Sequence, residues 1–509
     1  MLRGRQGEQD ALRARLTEAV RGAGGGLVLV GEAGMGKSVL LGYAREQARG
    51  FRTACVTGIE RESELAFAGL HQLVRPWFDL ISCLPSAQAR ALSSALGLAD
   101  SGAPDRFIVS AALLELLAEV ASDAPLLVTV DDAQWLDGPT VDAIVFAARR
   151  LAAEQVAVII VVRDEGDEPP ELALPTVHLE GLDAQATGAM LSDLAGREVP
   201  DTVARVLQAH TCGNPLALAE LCRLLTAEQL SGRAPMPDPL PVDARLGATF
   251  ARRVYPLPAT ARTALLVAAT AGGEGLDTIL RAGTHLGVTI EDFDAAERAG
   301  LLSVRGGAIT FRHPLVRSAA YHAATFAERR AAHLALADVL SPSDDAERRA
   351  WHLAAAAPGP DAEVAELLEQ VASGASARGA HAPAAAAFER AAELTVDREQ
   401  RVRRRLTGVQ SARAAGLYER ALAALDAAEP EVSDPRVRAE IVVIRAEIDV
   451  AHEDAYGRAV GGFIGAARTV APFDADRAGE LLMEAAGAAN AGGCWGELDA
   501  IVACGPRSS

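Results

Sequence analysis

The feature that most limits what this 509-residue chain can fold into is the octapeptide GEAGMGKS, running from Gly31 to Ser38. It satisfies G-x-x-x-x-G-K-[ST] at every fixed position and stands between an apolar run at residues 27–30 and a helical pattern. Glycines allow backbone N–H groups to turn onto phosphates, and a helix starting near Gly36 adds a favourable dipole. Lys37 is placed to reach the β- and γ-phosphates, and the Ser38 hydroxyl to ligate magnesium. Gly31, Gly34, Gly36, Lys37 and Ser38 are therefore the candidates for holding ATP or ADP with Mg2+.

What surrounds the octapeptide suits it. Short apolar strands are expected at residues 53–56, 126–130 and 156–162, separated by helical stretches such as 107–121 and 141–151. Strands alternating with helices predict a parallel sheet covered on both faces, an α/β P-loop domain over residues 1–180. A helical lid over 181–235 follows, broken by Gly213-Asn214-Pro215, and residues 231–241, with four prolines, read as a linker. Residues 236–345 alternate helices with a strand pair at 302–311 across Gly306-Gly307, a pattern resembling a small winged-helix unit. From 346 to 509 the sequence is Ala-rich helix. Gly379 and Gly416 lie 37 residues apart, near the period of paired-helix repeats, so a tetratricopeptide-like and incomplete array is expected there. Half the residues are apolar while aromatics supply only 4%, which requires cores of Ala, Leu and Val and favours closely packed helices.

Charge and cysteine content narrow the partners. At a formal net charge of -19 the surface repels phosphate backbones unless basic residues gather into a patch, so no DNA binding by this chain alone is expected. The six cysteines form no C-x-x-C pair, which argues against a zinc site or a disulfide framework and for a reduced cytoplasm. The N-terminus lacks the apolar core of a signal peptide. The longest strongly apolar run, residues 156–162, is far short of the roughly 20 residues a membrane helix needs.

Further site candidates come from strand ends. The run 126–130 ends in Asp131 and Asp132, as a strand delivering a magnesium partner beside a P-loop does. Asp131 is the metal-side carboxylate. Asp132 is read either as general base toward the attacking water or as holder of a hydrogen-bond network. Residues 156–162 lead into Arg163, a candidate γ-phosphate sensor, with a surface pair to Asp164 or Glu165 as the alternative. The turn before Leu216 either presses Pro215 toward the nucleotide or simply begins a helix. His313, between a strand and a helix, is structural or functional on the residues alone.

Taken in order, Leu2 to Arg5 with Glu8, GEAGMGKS, ELAFAGLHQLVRP, PLLVTVDDAQWLD, VVRDE, GNPLAL and FRHPLVRSAAY resemble the ATPase region of the LuxR-type large ATP-binding transcriptional regulators, members of the STAND class of AAA-like signalling NTPases, over about residues 1–340. The resemblance implies a switch held closed by ADP and opened by ATP with an unknown inducer or protein partner, ATP-dependent self-association, and weak ATPase activity that resets it. It also implies that Arg5 lies by the base, that Pro215 touches the nucleotide, and that His313 contacts the β-phosphate in the closed state. For residues 67–73 it implies no chemistry, and Phe67, Leu70 and Leu73 are expected on one helix face. Such regulators run longer and end in a helix-turn-helix. Residues 493–509 show no basic recognition-helix pattern, so the chain reads as a truncated regulator or a shortened relative. A P-loop kinase or phosphotransferase acting on a small molecule, or a scaffold with permanently bound nucleotide, are the competing readings.

Overall fold

The computed structural model describes residues 2–99, 105–164, 172–241, 254, 256–343, 345–451, 455–494 and 496. Most of the C-terminal stretch read for a recognition helix, the start of the expected winged-helix unit at 242–253, and Glu165 lie outside the described residues. The chain divides into two compact units, residues 1–197 with 204–219, and residues 198–203 with 220–509.

The first unit is built on a five-stranded parallel sheet in the order β2-β3-β4-β1-β5, comprising β1 (Gly25–Gly31), β2 (Arg52–Thr57), β3 (Leu126–Asp131), β4 (Val156–Arg163) and β5 (Thr176–His178). Alternating side chains of β1, β3 and β4 feed opposite layers, whereas β2 at the sheet edge buries only Ala54 and Val56. Val28 and Val30 join Val128, Val158 and Ile160 in one core, closed by α3 (Ala68–Val74), α4 (Ser86–Ala95), α5 (Arg106–Val120) and α6 (Gly138–Ala148). Leu27 and Leu29 join Leu127, Ile159 and Val161 in the other, closed by α1 (Gln6–Val20) and α2 (Lys37–Gln47). A strand with both faces covered cannot alternate polar and apolar residues, which explains the unbroken apolar runs of β1 and β4. Because all strands run the same way, the residues that follow β1, β3 and β4 gather at one sheet edge. Phe67 departs from its expected place: at φ 65° it precedes α3 in a left-handed conformation, while Leu70 and Leu73 are buried on the helix itself.

In the second unit a core of Leu265, Leu266, Phe293, Leu302, Val316 and Leu336 binds, among the described residues, the helices between Ala259 and Val339 and an antiparallel hairpin, β6 (Leu302–Arg305) and β7 (Ala308–Phe311). The hairpin turns on Gly306 and Gly307, both at positive φ, as its tight two-residue loop requires. From Ala346 to Gly492 helix follows helix, consecutive helices packing together through Ala, Leu and Ile. Gly379 and Gly416 occupy corresponding turns of two successive helical hairpins.

Residues 231–241 are not the free linker that their prolines suggest. Arg233 donates to Glu228 and Asp426, Arg317 donates to Asp238, and His322 Nε2 lies within hydrogen-bonding distance of the Pro239 and Leu240 carbonyls. Leu240 is fully buried. Proline rigidity and these side-chain bonds together fix a strap within the second unit.

Candidate functional site

The P-loop joins the end of β1 to α2. Gly34 and Gly36 take φ values of 84° and 89°, and Lys37 and Ser38 open the helix, where by helix geometry the first amides have no intrahelical acceptor. The carbonyls of the loop are all engaged as acceptors. Lys37 Nζ donates to the Gly31 and Glu32 carbonyls at 2.6 Å each, Asn214 Nδ2 to Ala33 at 2.8 Å, the Leu216 amide to Gly34 at 3.2 Å, and Arg5 Nη2 to Met35 at 3.1 Å. With its carbonyls already occupied, what the loop backbone has left to offer a ligand is N–H groups, the groups that bind anions.

Two segments singled out by the resemblance lie beside these ties. Arg5 is buried, and its guanidinium is shared between Glu8 and the Met35 carbonyl, so it supports the loop backbone. Pro215 begins the helix Pro215–Leu224, where proline at the first position leaves no orphan N–H. It is Asn214, however, that joins this helix to the loop: Oδ1 caps the Leu216 and Ala217 amides while Nδ2 reaches Ala33. The approach is close, since a Cβ on Gly34 would stand 2.7 Å from Asn214 Oδ1 and 2.9 Å from Leu216 Cβ. Asn before Pro signals a helix cap in any sequence. Nothing local signals its reach to residue 33.

The carboxyl ends of β3 and β4 complete the site. Asp131 Oδ1 accepts from the Asp132 amide, Asp132 takes φ 49°, and Gln134 Nε2 donates to Asp132 Oδ1 at 3.0 Å while Gln134 Oε1 accepts from the Arg163 amide at 3.1 Å. Gln134, passed over in the sequence, therefore ties the second carboxylate to the end of β4. Arg163 is the register partner of Gly31, and its Nε is buried without a hydrogen bond among the described residues. Lys37 is 8% exposed. Burial, then the positive charge of Arg163, hold its ammonium down to about 8 from 10.5, against the opposing pull of Asp132, Asp131 and Asp164. Lys37, Arg163 and the carboxylates of Asp131, Asp132 and Asp164 thus act on one another electrostatically beside the loop. His313 belongs to the second unit, where its Nδ1 accepts from the Leu315 amide and caps the helix Pro314–Ala323.

A second residue missed in the sequence is Asp137. It is buried, accepts from the amides of Phe67, Gly69 and Thr140 and from the Thr140 hydroxyl, and Thr140 Oγ1 in turn accepts from Leu70. This hub locks the turn before α3 to the segment that follows Asp131 and Asp132.

A doubly covered parallel sheet with this loop, Lys37, and paired carboxylates at the end of β3 defines a P-loop nucleotide-binding domain. Residues 1–161 match the profile of the AAA ATPase domain, and this part of the chain is an AAA-like P-loop NTPase domain. No curated protein matches the chain. Among solved structures it is similar to a signal transduction ATPase with numerous domains (STAND) carrying a tetratricopeptide repeat sensor, from Pyrococcus horikoshii, at 15% identity over 94% of this chain and 70% of that one, TM-score 0.28. A Walker-type ATPase of Pyrococcus abyssi aligns at 14% identity over 63% of this chain and 98% of that one, TM-score 0.36. RuvB of Thermotoga maritima aligns at 11% over 61% and 92%, TM-score 0.31. No helix among the described residues is long and apolar enough to cross a membrane.

Proposed function

We propose that the chain is an ATP- and magnesium-binding switch of the STAND type, related to the LuxR-type regulators, working in the cytoplasm with slow ATP hydrolysis. The observation that carries this reading is the loop of residues 31–38, in which every carbonyl from Gly31 to Met35 is already accepting a hydrogen bond, set beside Lys37, Asp131, Asp132 and Arg163. In this reading residues 1–180 bind nucleotide, 181–235 form the lid, 236–345 a winged-helix-like unit, and 346–509 a tetratricopeptide-like arm that meets an inducer or partner. Arg5 and Pro215 border the nucleotide, and His313 senses the β-phosphate of ADP, as the resemblance implies.

The residues fit a magnesium nucleotide. Magnesium, when bound, neutralises charge between the β- and γ-phosphates, with the Ser38 hydroxyl and the Asp131 carboxylate as its protein partners. Lys37 donates to the β- and γ-phosphates, and the unsatisfied Arg163 Nε gains an acceptor in the γ-phosphate. Asp132, oriented by Gln134, accepts a proton from the attacking water as the water oxygen bonds to the γ-phosphorus and the bond to the β-γ bridging oxygen breaks. The test is a single-turnover ATP assay beside a thermal melt. Nucleotide at 100 times its dissociation constant stabilises the binding domain by about 2.7 kcal/mol. Lys37→Ala is expected to lose that shift, and Asp132→Asn to keep it while hydrolysing roughly 100-fold more slowly. A shift retained in Lys37→Ala refutes the P-loop reading, and wild-type turnover in Asp132→Asn removes the base.

A further inference from the structure

The second unit contains a cavity of about 940 Å3, lined by the strap at Pro235, Asp238 and Pro239 and by several helices, including those that carry Tyr321, His333 and His352. Its volume lies within the range of small-molecule sites, roughly 300–1,000 Å3. Its wall holds a polar chain for which the nucleotide chemistry has no use. Tyr321 Oη lies 3.0 Å from His333 Nε2, and His333 Nδ1 lies 3.0 Å from His352 Nδ1, with both imidazoles buried.

Two facing Nδ1 atoms at that distance require one ring to donate and the other to accept. If Tyr321 donates to His333, then His333 donates to His352, and His352 Nε2 carries a proton. If the chain runs the other way, His352 Nε2 is an acceptor and the tyrosine hydroxyl is released to donate elsewhere. The chain can therefore meet either a donor or an acceptor without any change of charge. Burial of both rings, depressed to about 4, keeps them neutral at pH 7. The charged residues on the wall are matched: Arg317 with Asp238, Arg348 with Glu274, Arg390 with Glu393, and Arg420 with both oxygens of Glu389. An ionic ligand would have to compete with a counter-charge already in place at each of them. Trp351, partly exposed on the same wall, offers a flat apolar face.

We propose that this cavity binds a small uncharged molecule with a planar ring and hydrogen-bonding edges, the chemistry of a nucleoside. The assignment is independent of the ATP reading. Titration calorimetry of the full chain with inosine and uridine, each beside its 5′-monophosphate and with saturating ADP present to occupy the P-loop, tests it. At least one nucleoside is expected to bind more tightly than about 1 mM, with its monophosphate at least tenfold weaker, the equivalent of ~1.4 kcal/mol. Ala355→Trp, at an exposed lining position where a bulkier side chain leaves the core intact, is expected to abolish the heat; His352→Phe is expected to weaken binding about tenfold, and Lys37→Ala to leave it unchanged. No binding of either nucleoside, equal binding of the monophosphates, or undiminished binding to Ala355→Trp overturns the proposal. Loss of nucleoside binding in Lys37→Ala would place the ligand at the P-loop and also overturn it.

Discussion

Lys37 carries two roles that depend differently on pH. An unfolded lysine titrates near 10.5, whereas the buried ammonium of Lys37 titrates near 8. Between those values the unfolded chain binds more protons, so this group makes the fold less stable below pH 8 and relieves that penalty as pH rises toward 10.5. Phosphates favour the ammonium, so nucleotide binding above pH 8 requires proton uptake. Nucleotide affinity is expected to fall by up to about tenfold per pH unit above 8. Titrations at pH 7, 8 and 9 in buffers of differing ionisation heat check both the slope and the proton uptake, and a flat affinity profile would contradict the burial of this ammonium. Asn214 acts at the same scale by another route. Asn214→Ala loses a helix cap, costing roughly 0.5–2 kcal/mol, and frees the Ala33 carbonyl. Asn214→Asp keeps the cap but loses the donor. Both variants are expected to weaken nucleotide binding and to lower the melting temperature of the nucleotide-free protein, Asn214→Ala through the lost cap and Asn214→Asp by setting a carboxylate oxygen against the Ala33 carbonyl; wild-type nucleotide affinity in both would show that the tie does not shape the loop.

Among the elements, the junction of α3 with the start of α6 has the highest stakes. Asp137→Ala leaves the buried amides of Phe67, Gly69 and Thr140 without their carboxylate acceptor. Each buried donor left unmet costs about 1–3 kcal/mol, so a loss of roughly 3 kcal/mol or more is expected in chemical denaturation. Asp137→Asn, which presents only one acceptor oxygen, should fall between. A change below about 0.5 kcal/mol in Asp137→Ala would show that the hub is not a stability element. The motif at residues 64–76, for which no chemistry was evident, thus gains a physical reason: Phe67 is held in a left-handed turn that its own propensity disfavours.

For the whole molecule, acid should act through the buried histidines. The unfolded rings titrate near 6.5 and the folded rings of His333 and His352 near 4. Between these values the unfolded chain binds more protons, so stability falls as pH drops from 6.5 toward 4. Carboxylates titrate in part of the same window, so the measurement is a difference: the melting temperature of His352→Gln, which has no imidazole to protonate, should fall less between pH 6.5 and 5 than that of wild type. Equal falls would mean that the imidazole pair charges in the folded state at little cost.

The loop and four of the strands around it follow from the sequence alone, whereas β5 and the strand order do not. Residues 27–38 and 126–132 carry their structure locally, because an apolar run bounded by a glycine turn or by carboxylates suits a strand end and little else. The hairpin at Gly306-Gly307 was legible for the same reason. What only the tertiary structure decided are relations between distant segments: Asn214 with Ala33, Arg5 with Met35, Asp137 with Phe67, Gln134 between Asp132 and Arg163, and the strap at 231–241 with Arg317 and Asp426. The physical reason is common to all of them. Each is a polar side chain satisfying a backbone group or charge far away in the chain, and propensity and periodicity record only what a residue does for its immediate neighbours.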